Sequence, residues 1–316
     1  MNYIYRVIYH YIIQGSFIIH PCLLEMTVTG LPDLRSIMKI VDTNDTTLDF
    51  LIEQGVLDLK STCIFCGAWM HRYGLRLRCT NKQCRKSVSC LKGTFFAKNR
   101  LCVSDTLLLG YMWLTSMSYT TVLAQTTHGS DTIVNYFRLF RELVAGALNE
   151  EDWKIGGEGV VVEVDESKFG KRKYNRGHHI EGAWVIGGIE RTSSSKFFVL
   201  VIEKRNSETI AGILSDHILP GSIVHTDCWK GYINIGEIIN VEHRTVNHSV
   251  SFADDETGVH TNSIEGKWAA LKRKITLRGR VKEMLPDYLF EQIWRSLNRD
   301  NLWPAFISAL KEVSYE

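Results

Sequence analysis

Gly159-Val-Val-Val-Glu-Val-Asp165 decides how this chain is read. Its valines make a β-branched run too short for a helix, and Gly156-Gly157 marks a boundary just upstream, so the segment reads as a buried strand. Apolar residues on successive positions suit the middle of a sheet. Asp165 closes the run, a charge at the edge of a central strand, where burial is costly unless a cation or a partner compensates.

Reading outward from that strand, Gly182 to Ile189 and Lys196 to Ile202 are two more β-rich runs joined by short polar turns. A helix over Ser207 to Leu219 follows, then a fourth strand over Ser222 to Asp227 and a fifth around Val241 to Val246. Asn262 to about Ile275 reads as a further helix. Three sequential strands followed by alternating helix and strand predict an α/β domain of roughly 140 residues. Upstream, Ser104 reads as the N-cap of a helical region reaching Leu148. There a short helix, Tyr119 to Gln125, is followed by a turn at His128-Gly129-Ser130. A longer helix then starts near Asp131, with Ile133, Val134, Phe137, Leu139, Phe140 and Leu143 at helical spacing. That arrangement fits a helix-turn-helix, and equally a small helical bundle.

The 316 residues are 45% hydrophobic and 23% charged, which excludes a disordered or collagenous chain, and the formal charge is only +2. Local imbalance says more. Between Ser61 and Arg100 the charged residues are Arg72, Arg76, Arg78, Lys82, Arg85, Lys86, Lys92, Lys98 and Arg100, with no acid among them. Between Gly266 and Lys282 they are Lys267, Lys272, Arg273, Lys274, Arg278, Arg280 and Lys282, again with no acid. Two basic islands in a nearly neutral chain point to a polyanionic partner. The N-terminal stretch Val7 to Leu24 is apolar, but His10, Gln14, Gly15, Ser16, His20 and Pro21 interrupt it, so it is not read as a membrane span. It reads as a poorly packed extension, with Met26 as an alternative start.

Of eight cysteines, Cys63, Cys66, Cys79 and Cys84 form two pairs around a hairpin-sized loop. Paired thiolates suit tetrahedral zinc, since each pair can occupy one edge of the tetrahedron. Four filled positions make such a metal structural. The second pair is spaced more widely than usual, which leaves Cys90 and His71 as candidate replacements. Cys22, Cys102 and Cys228 read as small buried hydrophobes. Interleaved with the basic residues, Trp69, Tyr73, Phe95 and Phe96 would make a module able to lie on a phosphate backbone.

Three acids stand out by position: Asp165, Asp227 at the end of the fourth strand, and Glu265 at the start of the last helix. Two strand-borne aspartates and a helix-borne glutamate can converge on a pair of Mg²⁺ ions, which prefer oxygen ligands and support in-line displacement at phosphorus. Ile264, Trp268, Leu271 and Ile275 form the buried stripe of that helix, and Glu265 and Lys272 share a neighbouring face. Ordinary structural roles compete. Asp165 could be a turn residue, Asp227 an N-cap for a helix from Trp229, and Asn262 with Glu265 a capping box. Glu163 and Glu166 compete with Asp165 as metal ligands.

Taken together, Val162-Glu-Val-Asp-Glu-Ser-Lys-Phe169, His225-Thr-Asp-Cys-Trp-Lys-Gly-Tyr232, Val246-Asn-His-Ser249 and His260-Thr-Asn-Ser-Ile-Glu-Gly-Lys-Trp268 resemble the Merlin superfamily of DDE transposases and their bacterial insertion-sequence relatives. The resemblance implies an α/β architecture of RNase H-like catalytic domain, N-terminal zinc ribbon and small helical DNA-binding region. Its boundaries would be an extension at 1–45, zinc ribbon at 46–100, helical region at 101–152, catalytic domain at 153–283 and helical tail at 284–316. It also implies that Asp165, Asp227 and Glu265 bind Mg²⁺ (or Mn²⁺) for cut-and-paste transposition, beside a structural Zn²⁺ on Cys63, Cys66, Cys79 and Cys84. His225, His248, His260 and Asn262 match motif positions near that site. The implied partners are DNA, as terminal inverted repeats and target, and further copies of the chain, with no membrane. Arg72, Arg76, Arg78, Lys82, Arg85, Lys86, Lys267, Lys272, Arg273 and Lys274 are the candidate DNA contacts. The expected location is nuclear if the source is eukaryotic and cytoplasmic otherwise. A host-adopted DNA-binding descendant and a stand-alone nuclease are the alternatives, and the tail from Pro286 to Val313, with Trp294 and Trp303, reads as packing.

Overall fold

The computed structural model describes residues 30–57, 62–97, 99–170, 182–246 and 259–313. The apolar N-terminal stretch, Cys22 and His248 lie outside them. Two short helices open the described chain. In α1 (Leu34–Ile40) the Asp33 carboxylate caps the first amides, and in α2 (Asn44–Glu53) Thr43 and Thr46 form a capping box. A three-stranded antiparallel sheet follows, made of β1 (Met70–Tyr73), β2 (Arg76–Cys79) and β3 (Ser87–Ser89). Then come α3 (Val103–Leu114), α4 (Tyr119–Gln125) and α5 (Ser130–Gly146). The N-cap of α3 is Cys102, not Ser104: its sulfur accepts the Asp105 amide at 3.4 Å, while the Ser104 amide donates to Asn44 Oδ1 at 3.2 Å.

The larger sheet contains β5 (Val161–Lys168), β6 (Trp184–Glu190), β7 (Phe197–Ile202), β9 (Ile223–Asp227) and β10 (Glu242–Val246), in the order β10-β9-β5-β6-β7. β5, β6 and β7 run antiparallel in sequence, and β9 and β10 add parallel on the other side of β5. A short parallel pairing joins β4 (Ile155–Gly156) to β8 (Ile218–Leu219). β5 therefore sits in the middle, as its valines require. It continues to Lys168, so Asp165 is mid-strand, paired with Gly187, and not a strand-end turn residue. The ladder from Glu166↔Ile186 to Lys168↔Trp184 holds the extra length.

Helices cover both faces. On one, Ile210 and Leu214 of α6 (Ser207–His217) pack with Val162, Val164, Ile186 and Phe198, and Ile235 of the short α7 (Ile235–Ile238) joins them. On the other, Ile264, Trp268 and Leu271 of α8 (Asn262–Lys274) and Leu285, Leu289 and Ile293 of α9 (Leu285–Leu297) pack with Val185, Phe197 and Val199. All four residues of the expected α8 stripe are buried. Trp268 lies so close over Gly187 that a Cβ there would come within 2.7 Å of the indole, which explains a glycine in mid-strand.

The C-terminal segment ties the two halves together. Trp294, at the end of α9, and Trp303 and Phe306 of α10 (Leu302–Glu312) are buried with Ile37, Leu51, Trp113 and Phe140, so this tail and residues of α1 and α2 share one core. Arg295 pairs with Glu291 at 2.7 Å and donates to the carbonyls of Trp113 and Leu114, closing the end of α3. Among the described residues no helix is long and apolar enough to cross a membrane.

Candidate active site and metal centre

The cysteine cluster is built by the small sheet. Cys63 and Cys66 flank a turn, Cys79 ends β2, and Cys84 follows the next turn. One ligand atom from each lies within 4.8 Å of all the others. Cys63 and Cys84 sulfurs are 3.8 Å apart, and those of Cys66 and Cys79 3.5 Å. A tetrahedron with metal–sulfur bonds of ~2.3 Å has edges of about 3.8 Å, so the four thiols can hold a metal such as zinc. Neither Cys90 nor His71 belongs to the cluster. Cys90 is buried in the small core with Met70 and Leu77. The Phe65 amide pulls the Cys63 thiol down to about 7, while burial pushes Cys79 up to about 12. Among the other cysteines, Cys228 is exposed and Cys102 half-buried as a helix cap, against the expectation of burial.

The carboxylates gather where β5, β9 and α8 meet. The parallel pairing of β5 with β9 ends at Glu163↔His225, and Asp165 and Asp227 each stand two residues further along their strands. They therefore lie side by side on one face. Trp268 Nε1 donates to Asp165 Oδ2 at 3.0 Å, reaching across from α8. Burial raises the Asp165 carboxyl above its ordinary range. The Trp268 and Glu166 N–H donors oppose that rise, and the charges of Asp227 and Glu265 add to it. Glu265, exposed in the first turn of α8, thus acts on the same carboxyl. These three acids do not approach one another as closely as the cysteines do.

Glu163 resolves the competition among neighbouring acids. It is fully buried, and its carboxylate accepts from the Ser263 amide at 2.7 Å, the Ile264 amide at 3.1 Å and the Ser263 hydroxyl at 2.8 Å. Arg191 Nε adds a contact at 2.5 Å and its Nη2 donates to the His260 carbonyl at 2.7 Å, while His260 Nδ1 lies 3.3 Å from Glu163. An anion on the first amides of α8 satisfies the orphan donors and meets the positive end of the helix. The capping box expected of Asn262 and Glu265 is absent for this reason. Thr261 is the N-cap and Glu163 has taken the amides. Glu163 is thereby spent on holding α8 to β5, two residues from Asp165. Nothing in the local sequence pointed to this, because Arg191 and Ser263 are distant in the chain.

Glu166 faces the opposite side. It pairs with Arg205 at 3.1 Å, and Arg205 stacks between Trp229, 4.1 Å away, and Trp184, 4.8 Å away. Asp227 accepts the Trp229 amide at 2.9 Å as a turn, and the short 3₁₀ helix that follows, Lys230–Tyr232, takes Trp229 and not Asp227 as its N-cap. His225 is buried, and burial together with Arg191 pushes its ring down to about 4.

The basic candidates separate by side. Lys272 Nζ donates to Ser167 Oγ at 2.6 Å, on the strand face of Asp165, and Asp165 opposes the fall that burial imposes on its ammonium. Lys267 turns the other way, 3.8 Å from the ring centre of Phe197, and Arg273 and Lys274 are exposed. On the small sheet Arg72 pairs with Asp49 of α2 at 2.7 Å, whereas Arg76, Arg78, Lys82, Arg85 and Lys86 are exposed. Phe95 and Phe96, expected on the nucleic-acid face, are buried in the helical core. The exposed side of α5 carries Asp131 and an Arg138–Glu142 pair, so it has no basic excess.

Replacing Glu163 by alanine is expected to cost about 3–5 kcal/mol in urea unfolding, because Arg191 and two helix amides lose their buried partner. Glutamine, which keeps an acceptor oxygen, should cost less. A loss below ~1 kcal/mol in the alanine variant would remove Glu163 from this role.

Residues 155–296 match the family of the ISXO2-like transposase domain, a span that includes all of the larger sheet, α8 and most of α9. Over 106 residues, which are 33% of this chain and 84% of the relative, the chain is 30% identical to a protein of Haemophilus influenzae described as an uncharacterized transposase-like protein.

Proposed function

The chain belongs to the insertion-sequence-type transposases with an ISXO2-like domain, and from that membership we propose that it cuts DNA at the ends of a mobile element and joins them to a target. The observation that carries the reading is the meeting of Asp165, Asp227 and Glu265 where β5, β9 and α8 come together, next to a lysine. Strand order supports an RNase H-like domain: three antiparallel strands, then two added parallel beside the first, with the acids on the adjacent pair β5 and β9.

The donor set fits a hard divalent cation. Hard oxygens stand together, and the Asp165 carboxyl, raised first by burial and further by the charges of Asp227 and Glu265, is one whose ionised form a cation would favour. Asp165, Asp227 and Glu265 would hold Mg²⁺ or Mn²⁺, which when bound would lower the pKa of water and supply counter-charge to the phosphate. The protein's own part is orientation. Trp268 holds one oxygen of Asp165, Glu163 sets the start of α8, and Lys272 presents a cation to the phosphates on the same face. The four cysteines then serve as a zinc ribbon that forms with its metal. Pairing two element ends would engage more than one copy of the chain.

The test is Mg²⁺-dependent processing of a duplex carrying the element's own ends by the zinc-loaded full chain, scored for both cleavage and strand joining. Hydrolysis without joining would make it a stand-alone nuclease. DNA binding with neither step would overturn the enzymatic reading. Within that assay, Trp268→Phe should slow cleavage about tenfold and move the acid limb of the pH–rate profile upward, since the indole N–H favours the ionised carboxyl. An unmoved acid limb would detach Trp268 from catalysis.

A further inference from the structure

Among the described residues, one side of the small cysteine-bearing sheet has no core behind it. Strand alternation separates its residues cleanly. Met70, Leu77 and Cys79 turn inward and are buried, Val88 is half-buried, and Arg72 on the same side is tied to Asp49. Trp69, His71 and Tyr73 lie on the opposite side of the first strand and its N-terminal extension, all exposed. Cross-strand register sets Arg78 beside His71 and Arg76 beside Tyr73 on that same outer face. On the third strand the corresponding positions are Ser87 and Ser89, which are too small to cover the rings. Ser87 Oγ accepts from Arg76 Nε at 3.0 Å and steadies the guanidinium.

Trp69 is 58% exposed and Tyr73 66%, so two large rings face solvent beside two arginines. Burying such rings in a packed core is the ordinary outcome; here the alternation puts them outward while aliphatic residues take the inside. No acid occurs from Ser61 to Arg100 to repel a polyanion. The intact duplex hides its bases in the stack and offers its phosphates. An unpaired strand offers both, and only an unpaired strand gives exposed rings something to stack on.

Resting on the DNA-processing reading above, we propose that the outer face of β1–β3 is a platform for unpaired DNA, on which Trp69 and Tyr73 stack bases while Arg76 and Arg78 hold the backbone. The strand it takes is the one opened when an element end is cut. Contact is by stacking and charge, so it is tolerant of sequence.

The experiment measures fluorescence anisotropy of a labelled single-stranded oligonucleotide of arbitrary sequence, and of the same sequence as a duplex, with the zinc-loaded full chain at 0.15 M salt. Single strands should bind more tightly than that duplex. Trp69→Ala and Tyr73→Ala should each weaken single-strand binding about tenfold, and Trp69→Phe should restore most of it. Duplex affinity should move by less than about threefold, and zinc content should not change. Equal single-strand binding in Trp69→Ala/Tyr73→Ala, or a preference of the wild type for the duplex, overturns the proposal. Those outcomes leave Mg²⁺-dependent cleavage untouched if the carboxylate site is correctly read. Conversely, ring-dependent single-strand binding by a chain that cannot cleave would sink the enzymatic reading and keep this one.

Discussion

Asp227→Ala should abolish Mg²⁺-dependent cleavage of the element ends, lowering the rate by roughly a thousandfold or more, while affinity for the same duplex stays within about threefold. A thousandfold is about 4 kcal/mol of transition-state stabilisation, a reasonable share for one ligand of a metal-bound reacting centre. The prediction follows from position. Asp227 ends β9 beside Asp165 on β5, and among the described residues its side chain otherwise accepts the amide of Trp229, a bond whose loss cannot account for such a change. Asp165→Asn should match it in activity and differ in stability. Burial and the charges of Asp227 and Glu265 raise the Asp165 carboxyl, so its ionised form strains the metal-free fold. Removing that charge should raise the urea midpoint of the metal-free protein, even as cleavage is lost. Retention of more than a tenth of the cleavage rate in either variant would dissolve the triad.

Stripping the metal from the cysteine cluster should unfold β1–β3 without unfolding the larger sheet. Among the described residues the inner side of the small sheet has only Met70, Leu77, Cys63, Cys79 and Cys90 as buried apolar residues, far too little to offset the entropy of ordering it. Binding of a structural zinc contributes on the order of 10 kcal/mol in comparable small modules, and here it would be folding free energy. Hydrogen exchange is the direct readout. After chelation the amides of Cys63 and Cys79, which donate to the Ala68 and Lys86 carbonyls, should exchange at near-unfolded rates, whereas those of Val162 and Val164 should stay protected. Cys79→Ser should reproduce the effect. Because burial holds the Cys79 thiol near 12, metal must displace its proton, and affinity should fall as pH falls. Full protection in a metal-free sample would show that the cysteines serve some other purpose.

Much of this architecture could be read along the chain. β5, β6, β7, β9 and β10 lie within two or three residues of their expected ends, since alternation and β-branching are local signals. Both cysteine pairs are legible for the same reason: a ligand set spaced across a hairpin is a property of a short segment. Asp165 after the valine run, Asp227 at the end of its strand and Glu265 at the start of its helix stood out too, although β5 runs on to Lys168 and leaves Asp165 in mid-strand. Their grouping followed from the order of the elements and from family resemblance.

Other assignments depended on contacts between distant segments. Glu163 and Asp165 point to the same face of one strand, so alternation cannot tell which is the helix anchor and which faces the site. Arrival of the Ser263 and Ile264 amides decides it. Phe95 and Phe96 resemble Trp69 and Tyr73 as aromatic residues in a basic stretch, yet the first pair enters the helical core and the second stays in solvent. Arg72 is one residue from Tyr73 and lies on the other side of the sheet, beside Asp49. The sequence by itself determined the five strands of the larger sheet, the helices α3, α4, α5, α6 and α8, the cysteine pairs and the candidate carboxylates, because each is written in spacing over a few residues, whereas α1, α2 and the strands of the small sheet were not read from it. Tertiary structure alone decided which acid anchors the helix, which rings remain exposed and which arginines are free to meet a partner. Those outcomes depend on which segments, far apart in the chain, compete for the same buried amide or the same apolar surface.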